Sequence, residues 1–275
     1  MTNDTLSRRE LWERGRSDAW PVIDMHGHMG PWPGIWFPRA SAEMMVHSMD
    51  QAGVRMLCFC HHAALLCPDI GNAANVEAVR KFPDRLRAYF GINPHYPQMI
   101  ARDLAGWDDH RDVYVGIKLL SGYHGVAMDA PAYEAAWRFA DEHKLLALCH
   151  TWGNTQFNSR SHVSHVAQRY PSVKILMGHS LYGCWGDAIA VGREFPHVYL
   201  ELTAVLRNRG VLESFVEAGL SEQILFGTDL PWFDPHADIG AVLGADIADE
   251  DRHNILHRNA ERLLASVGVE TKPLG

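Results

Sequence analysis

The sequence predicts an α/β fold, a single-domain (β/α)8 barrel, on three observations. Short apolar runs alternate about eight times with amphipathic helical runs, the pattern of parallel strands covered by helices. The 275 residues are close to the ~250 at which such barrels close as one domain. No G-x-G-x-x-G turn follows the first strand, as an open doubly wound sheet would offer.

In chain order, "WPVIDMH" (20–26) reads as the first strand. "SAEMMVHSMDQAG" (41–53) follows as a helix that Ser41 can cap and Gly53 can stop. "VRMLCFCHH" (54–62) is the second strand, and "NAANVEAVRKFP" (72–83) a helix ending before Pro83. "LRAYFGINP" (86–94) is the third strand, with a short helix from Tyr96 to Ala105. "VYVGIKLL" (113–120) is the fourth, and "APAYEAAWRFADEHK" (130–144) a helix with Pro131 in its first turn. "LLALCH" (145–150) and "SHVSHVAQRYP" (161–171), then "VKILMGH" (173–179) and "CWGDAIAVGREFP" (184–196), form the next two strand–helix units. "VYLELTA" (198–204) with "RGVLESFVEAGL" (209–220) and "QILFGTD" (223–229) with two closing helices complete the barrel. Residues 1–19 are polar and charged and read as an extension ahead of a barrel domain over 20–275, able to pack on the outside or on a partner.

Composition narrows the function classes. Net charge is -8 with histidine neutral, which argues against nucleic acid, since phosphates need a basic face. No run of ~18 apolar residues predicts a membrane span, and the N-terminus lacks the apolar stretch of a signal peptide. The 5 cysteines (Cys58, Cys60, Cys67, Cys149, Cys184) are an odd number scattered through apolar runs, which suits reduced thiols in a cytoplasmic protein.

Among the 17 histidines, those at strand ends matter most. Barrel active sites lie at the C-terminal ends of the strands. Strand one ends in His26 and His28, strand five in His150, strand six in His179 and strand eight in Asp229, while strand four carries Lys118. Residues two apart on a strand share a face, so His26 and His28 point together into the lumen, with Asp24 one layer deeper as a support. Four imidazoles and a carboxylate converging on one mouth make a site for Zn2+ or a similar divalent ion. Nitrogen and oxygen donors without a thiolate suit a catalytic site. His61 and His62 follow strand two, as mouth-lining or rim residues. His47, His162, His165, His253 and His257 fall on helices as surface or packing residues.

D-x-H-x-H on strand one, G-I-K-L on strand four, C-H-T-W-G on strand five, M-G-H-S on strand six and F-G-T-D-L-P-W on strand eight resemble the amidohydrolase superfamily. Within it, the chain is most similar to the amidohydrolase-related branch of TIM-barrel metal-dependent hydrolases and the aminocarboxymuconate-semialdehyde decarboxylase type. The resemblance runs from about residue 21 to 266 and includes the closing "ILHRNAERLL". It implies His26, His28 and His150 as metal ligands, Asp229 as the carboxylate that binds the ion or its water, and His179 as the group that polarises substrate or relays a proton. It implies one divalent ion, Zn2+ with Mn2+ as the alternative, and a homodimer. In two-metal members the strand-four lysine is carboxylated and bridges the ions, which for Lys118 is the alternative. Here the run Gly116-Ile117-Lys118-Leu119-Leu120-Ser121 lacks the His-Pro that often follows in the branch. A buried lysine beside a cation must be neutral, carboxylated or paired, with Asp24 as a partner, unless it reaches the solvated mouth.

Water on such an ion ionises toward pH ~7. Asp229 can act as general base and His179 can steady an oxyanion, which would cleave an ester, lactone or amide of a small molecule. The same groups can protonate a carbon and release carbon dioxide, the alternative reaction. Trp32, Trp36, His62, Tyr123, Trp152 and Trp232 follow strand ends and predict an aromatic pocket. Few arginines follow the strand-end motifs (Arg160, Arg207, Arg209), which favours hydrolysis over a reaction that must grip a carboxylate. A phosphoesterase would need a basic cradle, and a barrel that only binds would not need the whole ligand set.

Overall fold

The computed structural model describes residues 3–16 and 20–271. Parts of the expected extension (1–2 and 17–19) and the last residues of the expected domain (272–275) lie outside these described residues. The strands are β1 (Val22–Met29), β2 (Val54–His61), β3 (Leu86–Gly91), β4 (Tyr114–Leu119), β5 (Leu146–Trp152), β6 (Lys174–Tyr182), β7 (Val198–Glu201) and β8 (Ile224–Leu225). They pair in parallel in the order β1-β2-β3-β4-β5-β6-β7-β8, with helices between them. Backbone bonds from the Met25 amide to the Phe226 carbonyl, the Asp229 amide to the His26 carbonyl and the His28 amide to the Leu230 carbonyl close the last gap. The expected barrel is therefore the fold observed.

Local chemistry explains the element boundaries. The helix Ala42–Ala52 starts where the Ser41 hydroxyl accepts the Met44 amide and stops at Gly53, which takes φ 79° at no steric cost. Pro68 opens the helix Pro68–Lys81 ahead of the expected start, because proline suits a first turn whose amide is unpaired anyway. The helix expected over 130–144 begins as a 3-10 turn, Pro131–Tyr133, before Glu134–Glu142. The last expected helix is broken into Asp249–His253, a π-turn at Asn254–Arg258 and Asn259–Ser266. The helix Asn3–Arg14 lies ahead of the barrel, with Leu11 against the core and Arg8 paired with Asp249. No helix among the described residues is long and apolar enough to cross a membrane.

Two apolar layers hold the barrel. Outside the strands, Phe59, Phe90, Ile117, Ile175 and Leu200 pack under helix residues such as Met45, Val79 and Trp137. Inside, Ile23, Met25, Met56, Cys58, Tyr89, Leu146, Leu148, Leu176 and Leu225 fill the N-terminal part of the lumen, closed below by Leu263 and Leu264. Each such side chain contributes about 1.5–3 kcal/mol by leaving water. The plug leaves only the C-terminal mouth for chemistry.

Candidate metal centre

The mouth begins with a slip in β1. Its register against β2 shifts between Asp24 and Gly27. Ile23 and Met25 belong to the luminal plug, yet His26 and His28 also face the lumen above them. One extra residue in the ladder resolves this, as bulges do. Simple alternation, which would have put Asp24 beneath the histidines, therefore fails. Asp24 shares the opposite face and is turned to the strand-eight segment, not to Lys118. Its Oδ2 accepts the Thr228 hydroxyl at 2.5 Å, and its Oδ1 accepts the His26 and Thr228 amides at 3.0 and 3.2 Å. Asp24 ties the strand holding His26 to the segment holding Asp229.

Two further donors reach the mouth through backbone that alternation would not supply. On β6, Leu176 and Gly178 share the inward parity, so His179 should point out. Instead His179, Ser180 and Leu181 take φ of 70°, 49° and 52°, a left-handed run that swings the imidazole inward. Asp229 sits at φ 60°. Such conformations cost about 1–2 kcal/mol per residue and persist where surrounding contacts fix them, often at functional sites.

The donor atoms converge. The Nδ1 of His28 lies 2.9 Å from the Cys60 carbonyl, to which only an N–H can bond. That leaves Nε2 of His28 bare, 3.2 Å from Oδ1 of Asp229. The Nδ1 of His26 lies 2.8 Å from Oε2 of Glu201. Its Nε2 lies 3.4 Å from the same Asp229 oxygen and 2.8 Å from Nζ of Lys118. Donor atoms of His26, His179 and Asp229 all lie within 4.8 Å of one another. His150 stands beside them, its Nδ1 3.1 Å from Nε2 of His179. Oδ1 of Asp229 is buried with no hydrogen-bond donor, a state that costs about 1–3 kcal/mol. Imidazole lone pairs aimed at an unpaired carboxylate oxygen repel unless a cation lies among them, so the residues fit a divalent ion.

Electrostatics agrees. Burial holds His26, His28 and His179 well below their ordinary pKa and takes His150 down to about 3, so the imidazoles stay neutral, the form that ligates. Burial pushes the Asp229 carboxyl up to about 7, opposed by nearby Lys118. Lys118 is completely buried and does not reach the solvated mouth. Burial lowers its pKa, and the neighbouring Asp229 opposes that shift.

A cavity of about 510 Å³ opens above this floor. Trp32, His62, Tyr123, Trp152 and Trp232 line it as expected, with His28, His150, His179 and Asp229 at its base. Trp36 does not. The chain reverses between Trp32 and Ile35, leaving Trp36 85% exposed over a separate depression beside Glu77 and Lys81. His62 is a wall rather than a reactant. Its Nδ1 donates to the Gly30 carbonyl at 2.8 Å, and its Nε2 accepts the Trp232 indole N–H at 3.0 Å. Among the described residues, no arginine lines the cavity. Arg207 is drawn away, 3.0 Å from Asp238 and over the Phe233 ring.

Glu201, Thr203 and Thr228, which tie the ligand-bearing segments together, were not expected, nor were the cavity-lining Leu65, Leu120, Thr155, Asn158 and Phe233. Glu201 is fully buried, bonded to His26, His179 and Thr203, and burial raises its carboxyl to about 7. Its signal in "VYLELTA" was a lone acid in phase with Tyr199, which packs on the luminal plug.

A family model described as amidohydrolase matches residues 23–265. None of the curated proteins matches the chain. An uncharacterised TIM-barrel protein from Bordetella bronchiseptica is 19% identical with a TM-score of 0.73, over 90% of this chain and 100% of that one. 5-Carboxyvanillate decarboxylase from Sphingomonas paucimobilis is 14% identical with a TM-score of 0.71, over 89% and 99%. A dihydroxybenzoic acid decarboxylase from Polaromonas sp. JS666, with bound manganese and the inhibitor 2-nitroresorcinol, is 18% identical with a TM-score of 0.72, over 93% and 100%. At such identities the likeness is one of fold.

Proposed function

This chain belongs to the amidohydrolase family, and from that premise we propose that it removes carbon dioxide, without oxidation, from a small aromatic carboxylic acid with the help of one divalent ion. The observation that carries the proposal is a juxtaposition. The Asp229 carboxyl lies at the floor of a cavity walled by Trp32, Tyr123, Trp152 and Trp232. Beside a cation that carboxyl is held ionised, and it can relay a proton to carbon rather than store one. The decarboxylases that share the fold are named for aromatic acids, and one holds manganese. These points favour decarboxylation over the hydrolysis that the scarcity of arginine suggested.

His26, His28, His179 and Asp229 would hold the ion, with His150 adjoining. When bound, the ion supplies the positive charge for a substrate carboxylate that no arginine in the cavity offers. The chain's own residues do the rest. The aromatic walls clamp the ring and exclude water. Asp229 would relay a proton, taken from water at the cavity mouth, to the ring carbon that bears the carboxylate. The bond to the carboxylate then breaks, its electron pair restores the aromatic ring, and carbon dioxide leaves. A second ion on carboxylated Lys118 is not part of the proposal, because Nζ abuts the His26 nitrogen and Lys118 is absent from the cavity wall.

The test supplies manganese and a panel of hydroxybenzoates, esters and lactones. Release of carbon dioxide matched by loss of an aromatic acid is expected. Ester or lactone cleavage with no carbon dioxide from any acid would replace the proposal with hydrolysis.

A further inference from the structure

We infer that Glu201 is the positioning residue of the centre: it fixes which nitrogen of His26 is bare and braces the turn that aims His179. The inference rests on the metal reading above.

A carboxylate offers about four lone-pair positions, and here each has a partner. Oε1 accepts the Thr203 amide at 2.7 Å and the Thr203 hydroxyl at 2.6 Å. Oε2 accepts the His179 amide at 3.1 Å and faces Nδ1 of His26 at 2.8 Å. With three partners that can only donate toward it, the fourth contact is satisfied when His26 also donates. The proton of His26 then sits on Nδ1, and the lone pair of Nε2 faces Nζ of Lys118 at 2.8 Å and Oδ1 of Asp229 at 3.4 Å. The bond to the His179 amide anchors the start of the left-handed run 179–181. One side chain from β7 thus sets the donor state of a histidine on β1 and the direction of another on β6. The opposite side of Glu201 is equally specific. A Cβ at Gly227 would lie 2.1 Å from Oε1 of Glu201 and 2.9 Å from Cβ of His26, so only glycine lets the segment after β8 pass. A carboxylate that orients a ligating imidazole typically alters metal affinity 10–100-fold when removed.

Glutamine discriminates this role from a plain structural tie. It has the same shape, but one of its two ends donates. With its oxygen toward Thr203, its NH2 meets Nδ1 of His26, which must then accept, the ring proton moves to Nε2, and the His179 amide loses its acceptor. The bare nitrogen is lost while the packing is kept.

The experiment titrates manganese into the wild-type chain and E201Q by calorimetry, and reads the imidazole tautomers by 15N NMR in the metal-free proteins. E201Q is expected to keep the wild-type circular dichroism, bind manganese about 10–100-fold more weakly, and show the His26 proton moved from Nδ1 to Nε2. Should E201Q fail to fold, E201D decides, since its carboxylate is too short to reach both His26 and Thr203 and should weaken affinity as well. A folded variant with wild-type affinity and an unchanged His26 tautomer overturns the role of Glu201 alone. A wild-type chain that binds no manganese overturns the metal reading and this role together.

Discussion

Along β1 the lumen changes character within three residues. Met25 packs fully buried among Met56, Cys58, Tyr89 and Leu148, where, among the described residues, the one polar side-chain contact on Met25 is the Tyr89 hydroxyl on its own carbonyl. His28 stands at a floor of imidazoles and a carboxylate, below an aromatic cavity. The plug is closely packed, and its register slips, as between Val22 and Ile23, bring no polar side chain inward. The mouth departs from this pattern, through the slip after Asp24 in β1, left-handed residues at His179–Leu181 and Asp229, and a carboxylate oxygen with no donor. The same strands therefore serve two ends. The plug supplies stability that the mouth gives up to bring unlike groups together.

Substitutions in the two halves should separate stability from chemistry. The largest effect is expected from Asp229→Asn, which keeps the shape and removes the acid. Turnover should fall about 10²–10⁴-fold, while the metal-free chain resists urea at least as well as wild type, since an unpaired buried acceptor is relieved. Wild-type turnover in this variant would take the proton-donor role from Asp229. Leu148→Ala in the plug should do the reverse. It should cost about 2–5 kcal/mol in urea unfolding, with kcat of the folded enzyme close to wild type.

The pH dependence of the metal-free chain sharpens the contrast. Burial lowers His26, His28, His61, His62, His124, His150, His179 and His197, with His62 at about 4 and His150 at about 3. Below pH ~6.5 the unfolded chain takes up protons that these native imidazoles refuse, so stability falls as pH falls. The carboxyls of Asp24, Glu201, Asp229 and Asp238 are raised, three of them to about 7, and act in the opposite sense. The imidazoles outnumber them. Stability should therefore drop between pH 6.5 and 5 by at least about 1.4 kcal/mol per pH unit, one net proton. Urea midpoints across that range measure it, and a midpoint that rises with acid would show that the carboxyls dominate. The smallest effect is expected at Trp36. Trp36→Ala should shift stability by less than about 0.5 kcal/mol and leave KM unchanged, whereas Trp32→Ala should raise KM.

The regular half was legible in the sequence and the irregular half only in part. Period and caps located the strands, and histidines at strand ends marked the mouth. Asp24 was misplaced because the slip after it is invisible to a period-two count. His179 was read as a mouth residue from its place at the end of β6, yet strand alternation sends it outward; the left-handed turn that brings it in depends on contacts from β5 and β7 that no local pattern shows, such as the Thr151 hydroxyl on the Leu181 amide. Glu201 went unnoticed because the two histidines it holds lie 175 and 22 residues away. Trp36 was counted with the pocket because a tight turn four residues earlier reverses its direction.

The most direct measurement is the manganese content of the wild-type chain after equilibrium dialysis, beside His26→Ala. One ion bound per wild-type chain, with its affinity lost in His26→Ala, is the predicted result. A wild-type chain that retains no ion, or a His26→Ala variant that retains one as tightly, would contradict a metal centre at the mouth of this barrel.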